Sequence, residues 1–476
     1  MILIMMKSIK EIIEDVLNKK GSHIHFIGIG GKGLNGIARY CLEKGYKVSG
    51  SDQNRSLELI DLEKMGANIF YNHRKNNITQ KVDLIVFSSV IENDNQEIQK
   101  AKDLEIPIVK RSLFLGELMK NFQSISIAGS HGKSTTTALV GLALKEAGAD
   151  PTIFGGALIK EIDSYSRNGN GANCVVEACE YDRSFHNLIG DISIITAVEK
   201  SHLEYYLDEK EMLGAFAKFV ALHKKDGMII YNGDDMNIRK VIGNAKCPIF
   251  SFGFNVCNDY VIKNIYYKTD STCFDLYYER KPVVKDVCIK VPGFYNVYNF
   301  ASAVITLHKL GLNVESIRKV AKDFNGVGRR FEVSEADDQT VFVDDFCHHP
   351  TQVKNLFKGI KQFFPDKKVI AIFQPRQYHL IKTFLKEYGE SFKEADTVVV
   401  TPILPALGDT ESDKNSLETS DIINAIKRYS GKKKVFFAKD FKQVLENIYK
   451  IKGKRIITTI GAGDIYKVKD MYVKTS

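Results

Sequence analysis

The stretch "IAGSHGKSTTTALV", residues 127–140, decides the fold. A short apolar run ends at Gly129, the chain turns through Ser130, His131 and Gly132, and Lys133, Ser134 and Thr135 open a segment with helical spacing. A strand that breaks at glycines and restarts as a helix aims successive backbone N–H groups and the positive helix end at one place, which suits a phosphate. The residues satisfy a shortened phosphate-loop pattern, GxxGK[ST]. Its amides cradle phosphates, Lys133 neutralises the outer ones, and Ser134 or Thr135 reaches Mg²⁺. A glycine-rich helix start with an incidental lysine has the same composition; the strand before and the helix after favour the phosphate.

Upstream, "HIHFIGIGGKGLNGIARYCLEKGYKVSGSD" (23–52) reads as strand, glycine turn, helix and strand. Gly28, Gly30 and Gly33 form a GxGxxG pattern and Asp52 ends the second strand, which gives a dinucleotide-type βαβ unit. Alone, that pattern fits a nucleotide site or a tight turn equally. A third strand, "VDLIVFSSV" (82–90), ends in Ser88 and Ser89, at the sheet edge where ligands of open α/β sheets bind.

Downstream, "ANCVVEACEYDRSF" (172–185) and "DISIITAVEKSHLEYY" (191–206) are β-rich runs ending in polar residues. Glu177 follows the first and His202 the second, and both are expected to point over the sheet edge toward the phosphates. Carboxylates suit Mg²⁺ better than thiolates, so Cys174 and Cys179 read as packing residues. A β-rich stretch follows at roughly 228–292, then a helix, "NVYNFASAVITLHKLG". Past "RRFEV", the runs "TVFVDD", "KKVIAIF", "DTVVVT", "KKVFFA" and "KRIITTIGAGD" are short apolar strands between helical segments, a second mostly parallel α/β unit.

Length and composition agree with this layout. A chain of 476 residues exceeds one typical core, so two or three domains are expected. A net charge of +9 without an arginine-rich arm steers anions but gives no reason to expect nucleic acid. Eight cysteines without a CxxC pair read as reduced thiols in a cytoplasmic protein. The opening "MILIMM" is short and carries no leading positive charge, and "KSIKEIIEDVLNKK" after it reads as an amphipathic helix. We therefore expect neither a signal peptide nor a membrane span.

Six segments in order, "IHFIGIGGKGLNGIA", "GSHGKSTTT", "DPTIFGGAL", "GVGRRFEV", "DDFCHHPT" and "IFQPRQY", resemble the Mur ligases over about residues 21–467. The resemblance implies a three-domain α/β architecture. A helical extension (1–20) precedes a Rossmann-like UDP-sugar domain (21–118), a central P-loop ATPase-like domain (119–329) and a C-terminal Rossmann-like amino-acid-binding domain (330–476). It implies ATP and Mg²⁺ as cofactors, UDP-N-acetylmuramate and an amino acid, by default L-alanine, as substrates, and a monomer or homodimer. It also implies a reaction: the lactyl carboxylate is phosphorylated, an amine attacks the acyl phosphate, and an amide, ADP and phosphate result.

Carried over by position, Gly28, Gly30, Gly31, Gly33, Asp52, Ser88 and Ser89 would face the UDP-sugar. Gly129, Ser130, His131, Gly132, Lys133, Ser134 and Thr135 would hold ATP, with Asn296, Asn299, Arg330 and Asp345. Lys133, Glu177 and His202 would be catalytic. Ser134, Glu177 and His202 would hold the metal. His348, beside His349 in the HHP element, Arg376 and Tyr378 would bind the acceptor.

The match departs from the family pattern in places. TN-E-DH becomes Thr196, Ala197, Glu199, Ser201 and His202, and EADES becomes Glu177, Ala178, Cys179, Glu180 and Tyr181. Histidine gives way to Tyr295, and FQPHRYSR becomes Phe373, Gln374, Pro375, Arg376, Gln377, Tyr378, His379 and Leu380. "TPILPALGD" lacks the usual tyrosine and carries Asp409 in place of glutamate. An arginine fork holds a carboxylate in a way leucine or glutamine cannot. Three readings therefore stay open beside L-alanine ligation: another amino acid, a preformed peptide as acceptor, or a nucleotide-binding paralogue without ligase activity. A nicotinamide-dependent dehydrogenase leaves the phosphate loop unexplained.

Overall fold

The computed structural model describes residues 7–202, 205–268, 270–406, 409–431 and 434–475. The opening "MILIMM" and residues 407 and 408 of "TPILPALGD" lie outside them. The amphipathic helix at the start spans Ile9–Asn18, capped by a reciprocal Ser8–Glu11 box, and buries Ile13 and Val16.

The first sheet holds β1 (His23–Ile27), β2 (Lys47–Ser51), β3 (Asn68–Phe70), β4 (Leu84–Phe87) and β5 (Ile108–Lys110), in the order β3-β2-β1-β4-β5. All pairs are parallel. Strand order reverses between β1 and β4, so the glycine turn after β1 and Ser88–Ser89 after β4 meet at the switch point, where a crevice opens. The "VDLIVFSSV" run is the fourth strand, because the short β3 intervenes.

The second sheet holds β6 (Gln123–Ala128), β7 (Thr152–Ile159), β8 (Ser164–Arg167), β9 (Asn173–Glu177), β10 (Ile192–Ile195), β11 (Met228–Asn232), β12 (Ile249–Gly253), β13 (Tyr260–Tyr267), β14 (Thr272–Tyr278) and β15 (Lys281–Ile289). Its order is β15-β14-β13-β12-β11-β10-β6-β9-β7-β8. The phosphate-loop strand β6 thus lies between β10 and β9, parallel to both. That placement brings the residues after β9 and β10 to either side of the loop. Ile125 and Ile127 of β6 pack with Leu139, Val140 and Leu142 of the helix Lys133–Glu146, all buried.

The third sheet holds β16 (Glu332–Asp337), β17 (Thr340–Asp345), β18 (Lys368–Phe373), β19 (Thr397–Val400), β20 (Lys434–Phe437) and β21 (Arg455–Ile460), ordered β16-β17-β21-β18-β19-β20. It is parallel except for the antiparallel edge strand β16.

One expectation is corrected. The cysteines read as uniformly reduced, yet Cys273 and Cys288 form a disulfide. The two face each other on antiparallel β14 and β15. Strand register brings them together, and 15 residues of spacing do not reveal it. The other six cysteines are free. Among the described residues no helix is long and apolar enough to cross a membrane.

Candidate active site

The corner after β6 has the backbone its sequence requires. Gly129 has φ of +134° and Gly132 +82°, values that L side chains rarely adopt. A Cβ on Gly129 would stand 2.3 Å from Thr196 Oγ1, and one on Gly132 2.9 Å from Asn299 Oδ1. Ser130 is fixed by its N–H to the Ala197 carbonyl (2.7 Å) and its hydroxyl to the Glu199 carbonyl (2.7 Å). Lys133, Ser134 and Thr135 then open the helix, all partly exposed.

Lys133 donates to the Gly129 carbonyl and to Glu180 Oε2, 2.8 Å away. Glu180 is fully buried. Burial disfavours both charges, but the pairing outweighs it. The Lys133 pKa is raised, the Glu180 pKa is lowered, and both groups stay ionised. His202 Nε2 stands 3.5 Å from Glu180 Oε1.

The acid beside His202 is therefore Glu180, where Glu177 was expected. Glu177 ends β9 and accepts the Gly156 N–H at 3.0 Å. The chain then turns into a short helical segment, Tyr181–Asn187, which swings Glu180 back over the loop.

Glu177 faces a cavity of about 280 Å³ between the first two sheets. Gly31, Gly33, Ser88 and Ser89 line one wall, and Gly156, Glu177 and Cys179 the other. Gly28 turns the loop with φ of +82°. Asp52 braces it from behind, accepting the Gly30 N–H at 3.0 Å. Arg111 and Lys32 also line this cavity and were missed in the sequence. Arg111 stands over Gly33, whose added Cβ would meet its guanidinium at 3.2 Å. Burial pulls the Lys32 pKa down, reinforced by Arg329 and Arg330. Two cations beside a glycine loop suit a diphosphate.

Asn296 and Asn299 are buried in a chain of amides: Asn296 donates to the Pro292 carbonyl, Asn299 donates to Asn296, and Thr136 donates to Asn299. They tie the helix Phe294–Lys309 to the phosphate-loop helix.

Arg330 and Asp345 meet where the second unit passes into the third. Asp345 accepts the N–H groups of Phe331 and Cys347, each at 2.8 Å, and burial raises its pKa. Arg330 lies 5.3 Å from the Phe346 ring centre. The neighbouring Arg329 binds Asp344 and the carbonyls of Gly461 and Gly463.

The third unit reaches the phosphate loop through the helix Pro350–Phe363. Thr351 donates to Glu199 Oε1 at 2.6 Å, and Gln352 Nε2 meets His131 Nδ1 at 2.9 Å. His131 Nε2 closes the ring to Glu199 Oε2 at 2.8 Å. Burial opposes the Glu199 charge, yet the His131 bond and the nearby imidazoles lower its pKa to about 2. Burial lowers His348 to about 3 and His349 to about 4, so both are neutral. His349 caps the helix through the Thr351 N–H. Arg376 donates to the Ala462 carbonyl at 3.2 Å, and Tyr378 begins the helix Tyr378–Thr383, so both follow the end of β18 in the third sheet. Glu199, Thr351 and Gln352 carry this seam but were not read as site residues.

The donors near the loop are a hydroxyl (Ser134), two carboxylates (Glu177, Glu180) and an imidazole (His202), a set able to hold a hard divalent cation. A phosphate loop close to a glycine-loop cavity, with a third α/β unit docked on the loop, suits an enzyme that moves a nucleotide's phosphate to an acid held nearby.

Family models cover most of the chain: "Mur ligase family, catalytic domain" at residues 23–123, "Mur ligase middle domain" at 127–307 and "Mur ligase, glutamate ligase domain" at 329–463. The chain belongs to the Mur ligase family. It is 34% identical over 456 residues to a UDP-N-acetylmuramate–L-alanine ligase of Clostridium kluyveri, covering 95% of this chain and 98% of that one. A protein of the same description from Caldanaerobacter subterraneus subsp. tengcongensis is 35% identical over 459 residues, covering 96% and 98%. Among solved structures, the UDP-N-acetylmuramate-alanine ligase of Thermotoga maritima matches with a TM-score of 0.79 and 25% identity, over 95% of this chain and 98% of that one.

Proposed function

We propose that this chain joins L-alanine to the lactyl carboxylate of UDP-N-acetylmuramate, forming an amide and releasing ADP and phosphate. The observation that carries the reading is the position of Glu177 and Cys179, which line the glycine-loop cavity while the next residue, Glu180, pairs with Lys133 of the phosphate loop. An acid held in that cavity would thus lie beside the terminal phosphate of a nucleotide on the phosphate loop. The relatives are L-alanine ligases, which makes L-alanine the acceptor of this reading.

A carboxylate resists attack because more negative charge must build on an anion; phosphorylation removes that charge and creates a leaving group. Lys133 stabilises the oxygens of the transferring phosphoryl group, released from Glu180 as the triphosphate arrives. Arg111 and Lys32 hold the diphosphate and orient the acid. Gly129 and Gly132 let backbone amides reach the nucleotide, and Asn296 and Asn299 set the wall behind it. Ser134, His202 and Glu180, the acid that stands beside His202, would hold Mg²⁺, which when bound offsets phosphate charge. Arg330 and Asp345 shape the passage between the second and third units, and His348, Arg376 and Tyr378 supply the acceptor side. Burial keeps His348 neutral, so it sets no positive charge beside the incoming amine. We take 21–118, 119–329 and 330–476 as the UDP-sugar, ATP and acceptor domains of a cytoplasmic monomer or homodimer.

Incubation with UDP-N-acetylmuramate, MgATP and, separately, L-alanine, glycine, L-serine and a cell-wall tripeptide tests this. The expected product is the L-alanyl conjugate with one ADP per amide. A conjugate formed only with the tripeptide, or ADP release without any conjugate, overturns it.

A further inference from the structure

Beside the phosphate loop, Cys179 Sγ, a Glu180 carboxylate oxygen and a His202 ring nitrogen lie within 4.8 Å of one another. Glu180 and Cys179 follow β9 and His202 follows β10, so two sheet strands fix the group from opposite sides. Glu180 is fully buried, while Cys179 lines the cavity and opens the group to solvent. From this geometry we infer that Cys179, Glu180 and His202 form a binding site for a thiophilic divalent cation of the zinc class.

The site shares Glu180 and His202 with the magnesium-type set, and the Cys179 thiol is what changes its metal preference. Magnesium takes oxygen ligands in octahedral geometry, whereas sulfur and imidazole nitrogen select zinc, cobalt or cadmium. Three protein ligands with a fourth position open match an accessible zinc site. Bonds of about 2.0–2.3 Å place tetrahedral ligand atoms roughly 3.5 Å apart, a spacing His202 and Glu180 already have, so the triad contracts by at most about 1.3 Å through side-chain torsions. On binding, the thiol proton passes to solvent and a metal–sulfur bond forms, with no change of oxidation state.

Two other clusters do not compete. In the His131–Glu199–His349 group, Gln352 Oε1 accepts the N–H groups of His348 and His349. Its amide nitrogen therefore faces His131 Nδ1, which places the proton on Nε2, directed at Glu199. Cys273 and Cys288 are bonded to each other.

Occupation has a consequence that rests on the ligase reading. The ion would draw Glu180 away from Lys133, 2.8 Å distant, and set a second positive charge beside the ammonium. Zinc should then block MgATP-dependent turnover.

The test is a cobalt(II) titration of the full chain after chelator treatment, without nucleotide. We expect a near-ultraviolet sulfur-to-cobalt charge-transfer band that saturates at one cobalt per chain and vanishes when zinc is added. Cys179→Ser and Cys179→Asp should both lose the band while keeping the wild-type circular dichroism. Cys257→Ser, at an exposed and separate thiol, should retain it. Separately, Cys179→Asp should raise the zinc concentration that halves ADP release roughly 10-fold or more. Absence of the band in folded protein, or its persistence in both Cys179 variants, overturns the site. A band without ligase turnover sinks the function and leaves the site standing; turnover without a band does the reverse.

Discussion

At the scale of single residues, the account turns on Lys133. Its ammonium is held by Glu180 at 2.8 Å and the Gly129 carbonyl, so its position is set before any nucleotide arrives. Lys133→Ala should lower kcat by roughly 10³-fold or more while the fold persists, checked by single-turnover ADP release and circular dichroism. A variant with wild-type kcat would remove the lysine from the chemistry. Arg111→Ala should instead raise KM for the UDP-sugar by about 10-fold, because it takes a charged hydrogen-bond donor from the diphosphate side and leaves the ATP site untouched. Isothermal titration with UDP-N-acetylmuramate reads this directly, and unchanged affinity contradicts it. Lys133 was legible because the glycine corner is local in sequence. Glu180 was not, because the choice between it and Glu177 depends on how the chain turns after β9. Arg111 gave no signal, since only the packing of the first two units carries it into the cavity.

At the scale of elements, the phosphate-loop turn and the helix Pro350–Phe363 matter most. Gly132→Ala would force a side chain into left-handed backbone and set its Cβ 2.9 Å from Asn299. It should cost about 1–3 kcal/mol of stability and weaken nucleotide binding, measured by thermal unfolding with and without ATP. The helix start carries a pH dependence. His348 and His349 have folded pKa values of about 3 and 4, below the ordinary 6.5. An unfolded chain takes up protons below pH 6.5 where the folded one does not. The stability they confer is full above that pH and is lost as pH falls through 6.5 toward 4, by up to about 1.4 kcal/mol per histidine per unit. Glu199, at about 2, loses its contribution only in more acid solution. Denaturant unfolding at pH 7.5 and pH 5.5 should show the loss, and replacing both histidines with glutamine should reduce it, the remainder coming from His23, His186, His223 and His308, whose pKa values burial also lowers. Strands β17 to β21 were readable as apolar runs, but the antiparallel edge β16 and the Cys273–Cys288 pairing were not. Both are facts of strand register, which no run of residues encodes alone.

At the scale of the whole molecule, the first two units share the glycine-loop cavity and the third meets the second at the phosphate loop. The ring of Thr351, Glu199, His131 and Gln352 ties the third unit to the phosphate loop by hydrogen bonds between side chains that stay partly exposed, so the contact can open. The double variant Thr351→Ala, Gln352→Ala should therefore expand the radius of gyration in solution scattering and raise KM for both nucleotides. Scattering that is identical to wild type contradicts a latch. The order of the units was legible from motif spacing, but their docking was not, since Thr351 and Gln352 meet Glu199 and His131 from far along the chain. The central claim is that the cavity of the first unit delivers an acid to a triphosphate held at Lys133. Its most direct measurement is mass spectrometry of the reaction with γ-phosphate-labelled ATP, UDP-N-acetylmuramate carrying ¹⁸O in its lactyl carboxylate, and L-alanine. The account predicts one ¹⁸O transferred to inorganic phosphate for each amide formed. Phosphate free of that label, with amide present, would contradict it.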